Sequence, residues 1–306
     1  MIKYRMIVGG VVSVALVFLQ VQTVRAGPPK NLTVEQAYPG LATGILKSAK
    51  LVKPRKGLLL TAEGTKIEES VLKEIIKNSK PEMREQLRKN LLFILEQIVT
   101  QKLLLREAFK SGHRKKGPED QVIMMYLNEK VSGVTVSDED TKDFYDQNKE
   151  TMGGMPFEQV KDTIENYLLQ HKKQETIKTY VQTLGQRIDI QIDAKWVKKQ
   201  SVMARDNPVD RARRSGRPTM VEFGATGCIP CDMMQPILDN LRKKYPHKLN
   251  VVFVHVREEQ ILGARFGIRS IPVQVFFDKD GGEVFRHEGF FPEAKVTEVL
   301  SKMGIK

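Results

Sequence analysis

Apolar residues recur along most of the first two thirds of the chain at the 3–4 spacing of a helix face. Leu87, Leu91, Ile94, Ile98 and Leu105 form one stripe, widened by Leu92, Phe93, Leu95 and Leu103, and predict a long helix from Pro81 that Gly112 ends. Val71, Leu72, Ile75 and Ile76 form a shorter helical face ahead of it, and Val122 to Leu127 is a further apolar stretch after it. Val160, Ile164, Leu168, Ile177, Val181 and Leu184 predict a second long helix from Phe157, behind the break Gly153-Gly154-Met155-Pro156. Ser137-Asp138-Glu139-Asp140 starts another helix through Phe144 and Tyr145. Thr33-Val34-Glu35-Gln36 and Thr65-Lys66-Ile67-Glu68 both fit the capping box, in which a hydroxyl and a carboxylate or amide satisfy free backbone N–H groups at a helix start. Leu58-Leu59-Leu60 reads as one short strand. Ile188, Ile190 and Ile192 alternate with Asp189, Gln191 and Asp193, the period of a half-buried strand. Residues 31–185 therefore read as mostly helical.

Around Asn207-Pro208 and Arg213-Arg214-Ser215-Gly216-Arg217-Pro218 the pattern changes to α/β. Met220 to Phe223 is a short apolar strand and Gly224-Ala225-Thr226-Gly227 a turn. A helix from Asp232 to Tyr245 follows, then strands at Val251–Val256 and Val273–Phe277. Asp280-Gly281-Gly282 is a hairpin turn into Glu283–His287, and Ala294–Met303 is a closing helix. The fold class is thus α followed by α/β, in two domains: residues 30–204, mostly helical, and residues 205–306.

The amino terminus adds a destination. Lys3 and Arg5 precede an apolar run from Met6 to Leu19, and Val24-Arg25-Ala26 then places small or modest residues at the −3 and −1 positions before Gly27. This is the layout of an export signal over residues 1–26. The run is short for a membrane span, which needs about 20 apolar residues. The alternative is an uncleaved anchor extended through Val21 and Val24, tethering the chain to the inner membrane. Both readings put the rest of the chain in the periplasm or another extracytoplasmic space.

With 306 residues, 41% hydrophobic and 28% charged, the chain is globular, which excludes disordered, collagen-like and disulfide-rich classes. The net charge of +13 divides into +3 over residues 1–26, which hold no acids, +6 over 27–204 and +4 over 205–306, with acids interleaved in the last two. A nucleic-acid partner would need that charge gathered on one face, so none is expected.

Two cysteines remain, Cys228 and Cys231, too few to staple a fold of this size. Lying three apart at a helix start, they suit chemistry instead. The free N–H groups and dipole of a helix amino terminus stabilise a thiolate, so the Cys228 thiol is expected below its free pKa of about 8.5. Cys231, one turn on, can attack a mixed disulfide formed by Cys228. Pro230 suits the first helical turn, where its missing N–H would go unpaired anyway. A purely structural disulfide is the alternative. Zinc would need two further Cys or His ligands at suitable spacing, and His247, His255 and His287 form no pair; haem attachment would need His where Asp232 stands. No metal and no cofactor are expected. Met124-Met125 and Met233-Met234 read as core fillers, His255 as a satisfied core residue, and Arg211, Arg213 and Arg214 as a solvated helix face or linker.

Two resemblances extend this. Residues from about Pro208 to the end closely resemble thioredoxin. The carrying residues are the Cys228-Ile229-Pro230-Cys231 motif, Asp232 to Asp239 with Pro236 at the family's helix kink, Phe266-Gly267-Ile268-Arg269-Ser270-Ile271-Pro272, and Gly289. The resemblance implies a central mixed sheet flanked by helices, a redox disulfide between Cys228 and Cys231, and Cys228 as nucleophile with Cys231 resolving. It implies a substrate cradle at Ile271 and Pro272 with a cis peptide bond, beside Ile229 and Pro230. Glu222 falls where the family keeps a buried acid that moves protons for the resolving cysteine; a solvent-facing Glu is the alternative. Gly224 and Gly227 depart from family aromatics, Phe253 from a lysine and Ile229 from a glycine.

Leu87–Ala108, Val134–Asn148 and Phe157–Ile192 resemble the amino-terminal chaperone region of SurA-like, parvulin-type isomerases. There the last two segments flank an isomerase domain; here only residues 149–156 separate them, too few for a catalytic domain. Together the resemblances imply an exported protein-disulfide oxidoreductase with a helical client-binding domain, working on protein thiol or disulfide clients and with a redox partner protein. The alternatives are an extracytoplasmic holdase chaperone with an accessory thioredoxin domain, and a dedicated reductase in cytochrome maturation.

Overall fold

The computed structural model describes residues 32–113, 117–149 and 152–306, so the expected export segment lies outside the described residues. The first half opens on α1 (Val34–Ala37), which carries the expected capping box: the Thr33 hydroxyl accepts the Gln36 N–H and the Gln36 side chain accepts the Thr33 N–H. Strands β1 (Lys50–Val52), β2 (Leu58–Ala62) and β3 (Thr65–Glu68) follow. The second expected box at Thr65 is therefore a strand. Glu63 and Gly64 take φ of 40° and 85°, making a two-residue turn between β2 and β3. Ile67, 2% exposed, turns into the core opposite Leu60, and α2 (Glu69–Asn78) starts only beyond it without a side-chain cap.

The long helix expected from Pro81 is interrupted. α3 (Arg84–Lys89) and α4 (Leu91–Lys110) are separated by Asn90, which leaves helical geometry at φ −118°, ψ 26°. Its side-chain amide donates to the Gln86 carbonyl at 2.9 Å, a local bond that competes with the helix ladder. α5 (Glu119–Lys130), α6 (Asp138–Asn148) and α7 (Phe157–Arg187) complete the helices expected from the apolar stripes, with Ser137 and Asp140 forming a capping box on α6. The alternating isoleucines form β4 (Ile190–Asp193), and α8 (Ala194–Ala204) follows. β4 pairs in parallel with β1 and antiparallel with β2, giving a four-stranded sheet of order β1-β4-β2-β3 inside the mostly helical half. Local pattern could not show this sheet, because β4 lies about 130 to 140 residues from the two strands it pairs with.

The core of this half joins that sheet to α4, α5, α8 and the end of α7. Gly185 on α7 lets the helix touch the segment around Ile45: a Cβ there would lie 2.5 Å from the Ile45 carbonyl oxygen. The same segment is also held by Glu96, whose carboxylate accepts the N–H groups of Thr43, Gly44 and Leu46. Gly185→Ala is therefore expected to cost about 2 kcal/mol by overpacking against backbone, read as a lower midpoint in urea unfolding. No helix among the described residues is long and apolar enough to cross a membrane.

The second half runs α9 (Pro208–Arg213), β5 (Thr219–Gly224), α10 (Ile229–Lys244), β6 (Asn250–His255), α11 (Gln260–Arg265), β7 (Val273–Phe277), β8 (Glu283–Glu288) and α12 (Glu293–Lys302). Its sheet has the order β6-β5-β7-β8, with β5 and β6 parallel and the other pairs antiparallel. This is the expected mixed sheet with helices on both faces. Met220 and Phe276 face α10 and α12; Val221, Phe223, Val275 and Phe277 face α9 and α11. All six residues of β5 are buried, which makes it the rigid central strand that delivers the next loop.

Arg213 is not the solvated side chain the sequence suggested. With Arg265 it shares the buried Asp210 carboxylate, at 3.3 and 2.8 Å. It also donates to the Gly281 carbonyl and stacks its guanidinium 4.6 Å from the Phe277 ring centre. Arg265 donates to the Ala204 carbonyl at 2.9 Å, tying the end of α8 to α11. A charged pair of this kind is tolerated inside only when its hydrogen bonds are satisfied.

Candidate redox site

β5 ends at Gly224, the loop Ala225-Thr226-Gly227 leaves the sheet, and Cys228 caps α10. Cys228 is extended (φ −103°, ψ 107°), and its carbonyl accepts the Asp232 N–H at 2.9 Å. Pro230 lies in the first turn, where no N–H is needed. Cys228 and Cys231 are joined by a disulfide with Cα atoms 5.2 Å apart. Their surroundings differ. Cys228 is half-buried, whereas Cys231 is 1% exposed. Ile229 stands 77% exposed between them and Pro230 is half-buried, so solvent and partners reach the outer sulfur first.

The sheet register brings the second expected element alongside. β5 and β7 are antiparallel and Phe223 pairs with Val273, so the start of β7 lies beside the end of β5. The peptide bond immediately before it, Ile271–Pro272, is cis. Ile271 is half-buried and Pro272 buried, and the Pro272 carbonyl accepts the Gly289 N–H at 2.8 Å. Cys228, Cys231, Ile229, Pro230, Ile271 and Pro272 thus gather at one end of the sheet.

Glu222 is 0% exposed, which excludes the solvent-facing alternative. It alternates with Phe223 and shares its face with Met220 and Gly224, the face covered by α10. A Cβ built on Gly224 would lie 3.4 Å from the Cys231 sulfur, so the carboxyl sits on the Cys231 side of the sheet, one same-face position further in. Neither of its oxygens has a hydrogen-bond partner among the described residues. Burial pushes its pKa up to about 8; the neighbouring Gln274 amide, which donates to the Gly289 carbonyl, offsets only part of this. Glu222 is thus a carboxyl that can hold or give up a proton near neutral pH.

Two of the departures from family pattern, Gly224 and Phe253, form a unit. The same Cβ on Gly224 would meet the Phe253 ring at 3.0 Å. The phenylalanine fills the space over Gly224 that a larger residue would need, and each residue explains the other. His255, read as a satisfied core residue, is half-buried and points at the loop: its Nε2 accepts the Thr226 N–H at 3.2 Å, and its Nδ1 has no hydrogen-bond partner among the described residues. Its place at the end of a strand parallel to β5, in register with Gly224, is the signal that sequence reasoning passed over. Met233, 49% exposed on α10, is not core, whereas Met234 is fully buried. No cluster of three or more His, Cys, Asp or Glu side chains among the described residues has the arrangement to hold a metal ion.

Comparison with known proteins finds relatives of the C-terminal third of the chain. A family model described as a thioredoxin-like domain matches residues 206–304. The chain is 37% identical over 101 residues to a thioredoxin of Staphylococcus saprophyticus, covering 33% of this chain and 95% of the relative. It is 35% identical over 88 residues to thioredoxin 1 of Synechococcus elongatus, covering 29% and 81%. Among solved structures, Fasciola hepatica thioredoxin is similar at 31% identity and a TM-score of 0.27, covering 29% of this chain and 84% of that one.

Proposed function

The chain belongs to the thioredoxin family through its C-terminal third, and from that membership we propose that it is an extracytoplasmic thiol–disulfide oxidoreductase acting on protein clients through Cys228 and Cys231. The observation that carries the proposal is the unequal burial of the two sulfurs at a helix amino terminus. In the reduced protein the first-turn N–H groups of α10 stabilise the Cys228 thiolate. That thiolate attacks one sulfur of a client disulfide, the client S–S bond breaks, and one client thiolate leaves and takes a proton from water. Cys231 then gives up its proton to Glu222 in its carboxylate form and attacks the Cys228 sulfur. The mixed disulfide breaks, the second client thiolate leaves, and the pair is oxidised by two electrons. An external dithiol protein restores it. Run backwards, the same steps oxidise a client dithiol.

Ile271, Pro272, Ile229 and Pro230 form the proposed client cradle, being the exposed or half-buried rim around Cys228 together with the buried Pro272 that shapes it. Export rests on the residue pattern of the amino terminus. In the helical half, the resemblance to SurA-like chaperone regions is joined by an open groove of about 420 Å³ among α4, α5 and α7, lined by Leu104, Ile123, Met124, Leu127 and Ile177 together with polar side chains of α4 and α5. Met124 and Met125 are 58% and 44% exposed, not core, and exposed methionines adapt to varied apolar surfaces. These features support a client-holding role for that half.

The reading is tested by insulin reduction with the purified chain. Acceleration of B-chain precipitation over dithiothreitol alone is expected, and a rate equal to dithiothreitol alone overturns it. The groove favours a second reading, a holdase. Its test is the Cys228→Ser/Cys231→Ser double variant, which suppresses aggregation of unfolded proteins as well as the parent chain if holding is independent of redox chemistry.

A further inference from the structure

The loop between β5 and α10 follows Gly224, the last residue of β5, and ends on Gly227, where φ is 76°. Ala225 is buried, but Thr226 and Gly227 next to Cys228 are exposed, so it is the hydrogen bonds of Thr226 that hold this end of the loop. Thr226 is gripped at both ends of its main chain. Its N–H donates to His255 Nε2 at 3.2 Å, and its carbonyl accepts from Arg257 Nη1 at 3.4 Å. The Thr226 hydroxyl also lies 3.2 Å from His255 Nε2. A ring nitrogen accepting an N–H carries no hydrogen itself, which leaves the ring hydrogen on Nδ1. Two residues later comes Cys228, whose sulfur depends on the first-turn N–H groups being correctly aimed.

The turn that carries His255 and Arg257 is held in its own right. The His255 carbonyl accepts the N–H groups of Glu258 and Glu259 at 3.0 and 2.9 Å. Gln86, on α3 of the helical half, then spans the turn: its Nε2 donates to the Glu258 carbonyl at 2.5 Å and its Oε1 accepts the Ile261 N–H at 3.2 Å. Two bonds of opposite sense fix the orientation of that amide. Hydrogen bonds and short stretches of main chain therefore run continuously from α3, through the 258–261 turn, His255 and Thr226, to Cys228.

We propose that His255 and Arg257 are positioning residues for the redox pair, and that Gln86 anchors them to the helical half, which thereby tunes the reactivity of Cys228 without touching it. The proposal rests on Cys228 being the attacking thiol. It gives the helical half a role in the chemistry beyond holding clients.

The test is the pH profile of Cys228 alkylation by iodoacetamide in the reduced full chain, with the modified cysteine located by mass spectrometry. His255→Phe keeps a ring but removes the acceptor; the rate at pH 7 is expected to fall about threefold or more, with the profile moved to higher pH, as losing one backbone hydrogen bond allows. His255→Gln, which presents an acceptor at the same reach, is expected within about twofold of the parent. Gln86→Leu is expected to slow alkylation about twofold in the same direction. A His255→Phe profile equal to the parent's, or a His255→Gln rate as low as that of His255→Phe, overturns the proposal. Should His255→Phe fail to fold, Gln86→Leu decides: an unchanged profile overturns the proposal and a shifted one supports it. Alkylation reports the thiol itself, whether or not the chain reduces insulin, so failure of this clamp and failure of the oxidoreductase reading appear in different assays.

Discussion

Cys228→Ser is expected to lower insulin reduction at least ~100-fold, a barrier increase of about 2.7 kcal/mol. A serine hydroxyl at the start of α10 receives the same N–H groups and dipole, yet it does not ionise near neutral pH and is a poor nucleophile toward sulfur. The fold is expected to survive, since Cys228 is half-buried and the change is nearly isosteric. Cys231→Ser differs in kind. Cys231 is 1% exposed beneath the loop, so its loss spares the first attack and removes the resolving step. Steady-state turnover falls while a single stoichiometric attack remains. Equal loss of the first attack in both variants would contradict the division of labour between the outer and inner sulfur; single-turnover kinetics with a labelled disulfide peptide separates the two.

Glu222→Gln is expected to change the pH dependence of stability by several kcal/mol. In the native chain the carboxyl holds its proton up to about pH 8, whereas unfolded it loses the proton near 4.5. Between those values the native state binds more protons than the unfolded state, so unfolding free energy falls as pH rises, by about 1.4 kcal/mol per pH unit. The stability is fully present below pH 4.5 and is lost as pH climbs through 8. Carried across the whole window, the cost is on the order of several kcal/mol. A glutamine cannot ionise, so the variant's C-terminal transition in urea is expected to be flat with pH through this window and to lie above the parent's at pH 8 and beyond. Parallel pH profiles for the two would show that Glu222 is ionised in the native chain at all these pH values. The same substitution removes the proton acceptor proposed for Cys231, so the resolving step slows although the protein becomes more stable. That combination separates a positioned proton acceptor from a residue that merely fills space.

Much of the site was legible because its chemistry is local. Four consecutive residues, Cys228 to Cys231, carry the pair and its spacing, and Pro230 marks the helix start within them. Glu222 stood out as a carboxylate inside an apolar strand, but only the structure could decide which way it faces. The role of His255 is not local, because its contact, Thr226, is 29 residues earlier; nothing near it in sequence hints at that loop. The burial of Arg213 is hidden for a similar reason, since Gly281 and Phe277, which shelter it, come more than 60 residues later. The helical half shows the limits of local signals. A Thr-x-x-Glu pattern occurs equally well in β3, where Glu63 and Gly64 set the chain turning back, and the apolar stripe across Asn90 continued although the backbone did not. The isoleucine alternation at Ile190 and Ile192 predicted a strand correctly, while its partners at Lys50–Val52 had no periodic signal to announce them.

The central claim is that Cys228 forms a transient covalent bond with protein clients outside the cytoplasm. The most direct measurement is expression of the full chain carrying Cys231→Ser in its native host, quenching with acid and N-ethylmaleimide, and non-reducing electrophoresis of the cell envelope. The account predicts high-mass adducts that collapse on reduction, are linked through Cys228 and vanish in the Cys228→Ser/Cys231→Ser double variant. Absence of adducts from Cys231→Ser, or their persistence in the double variant, would contradict it.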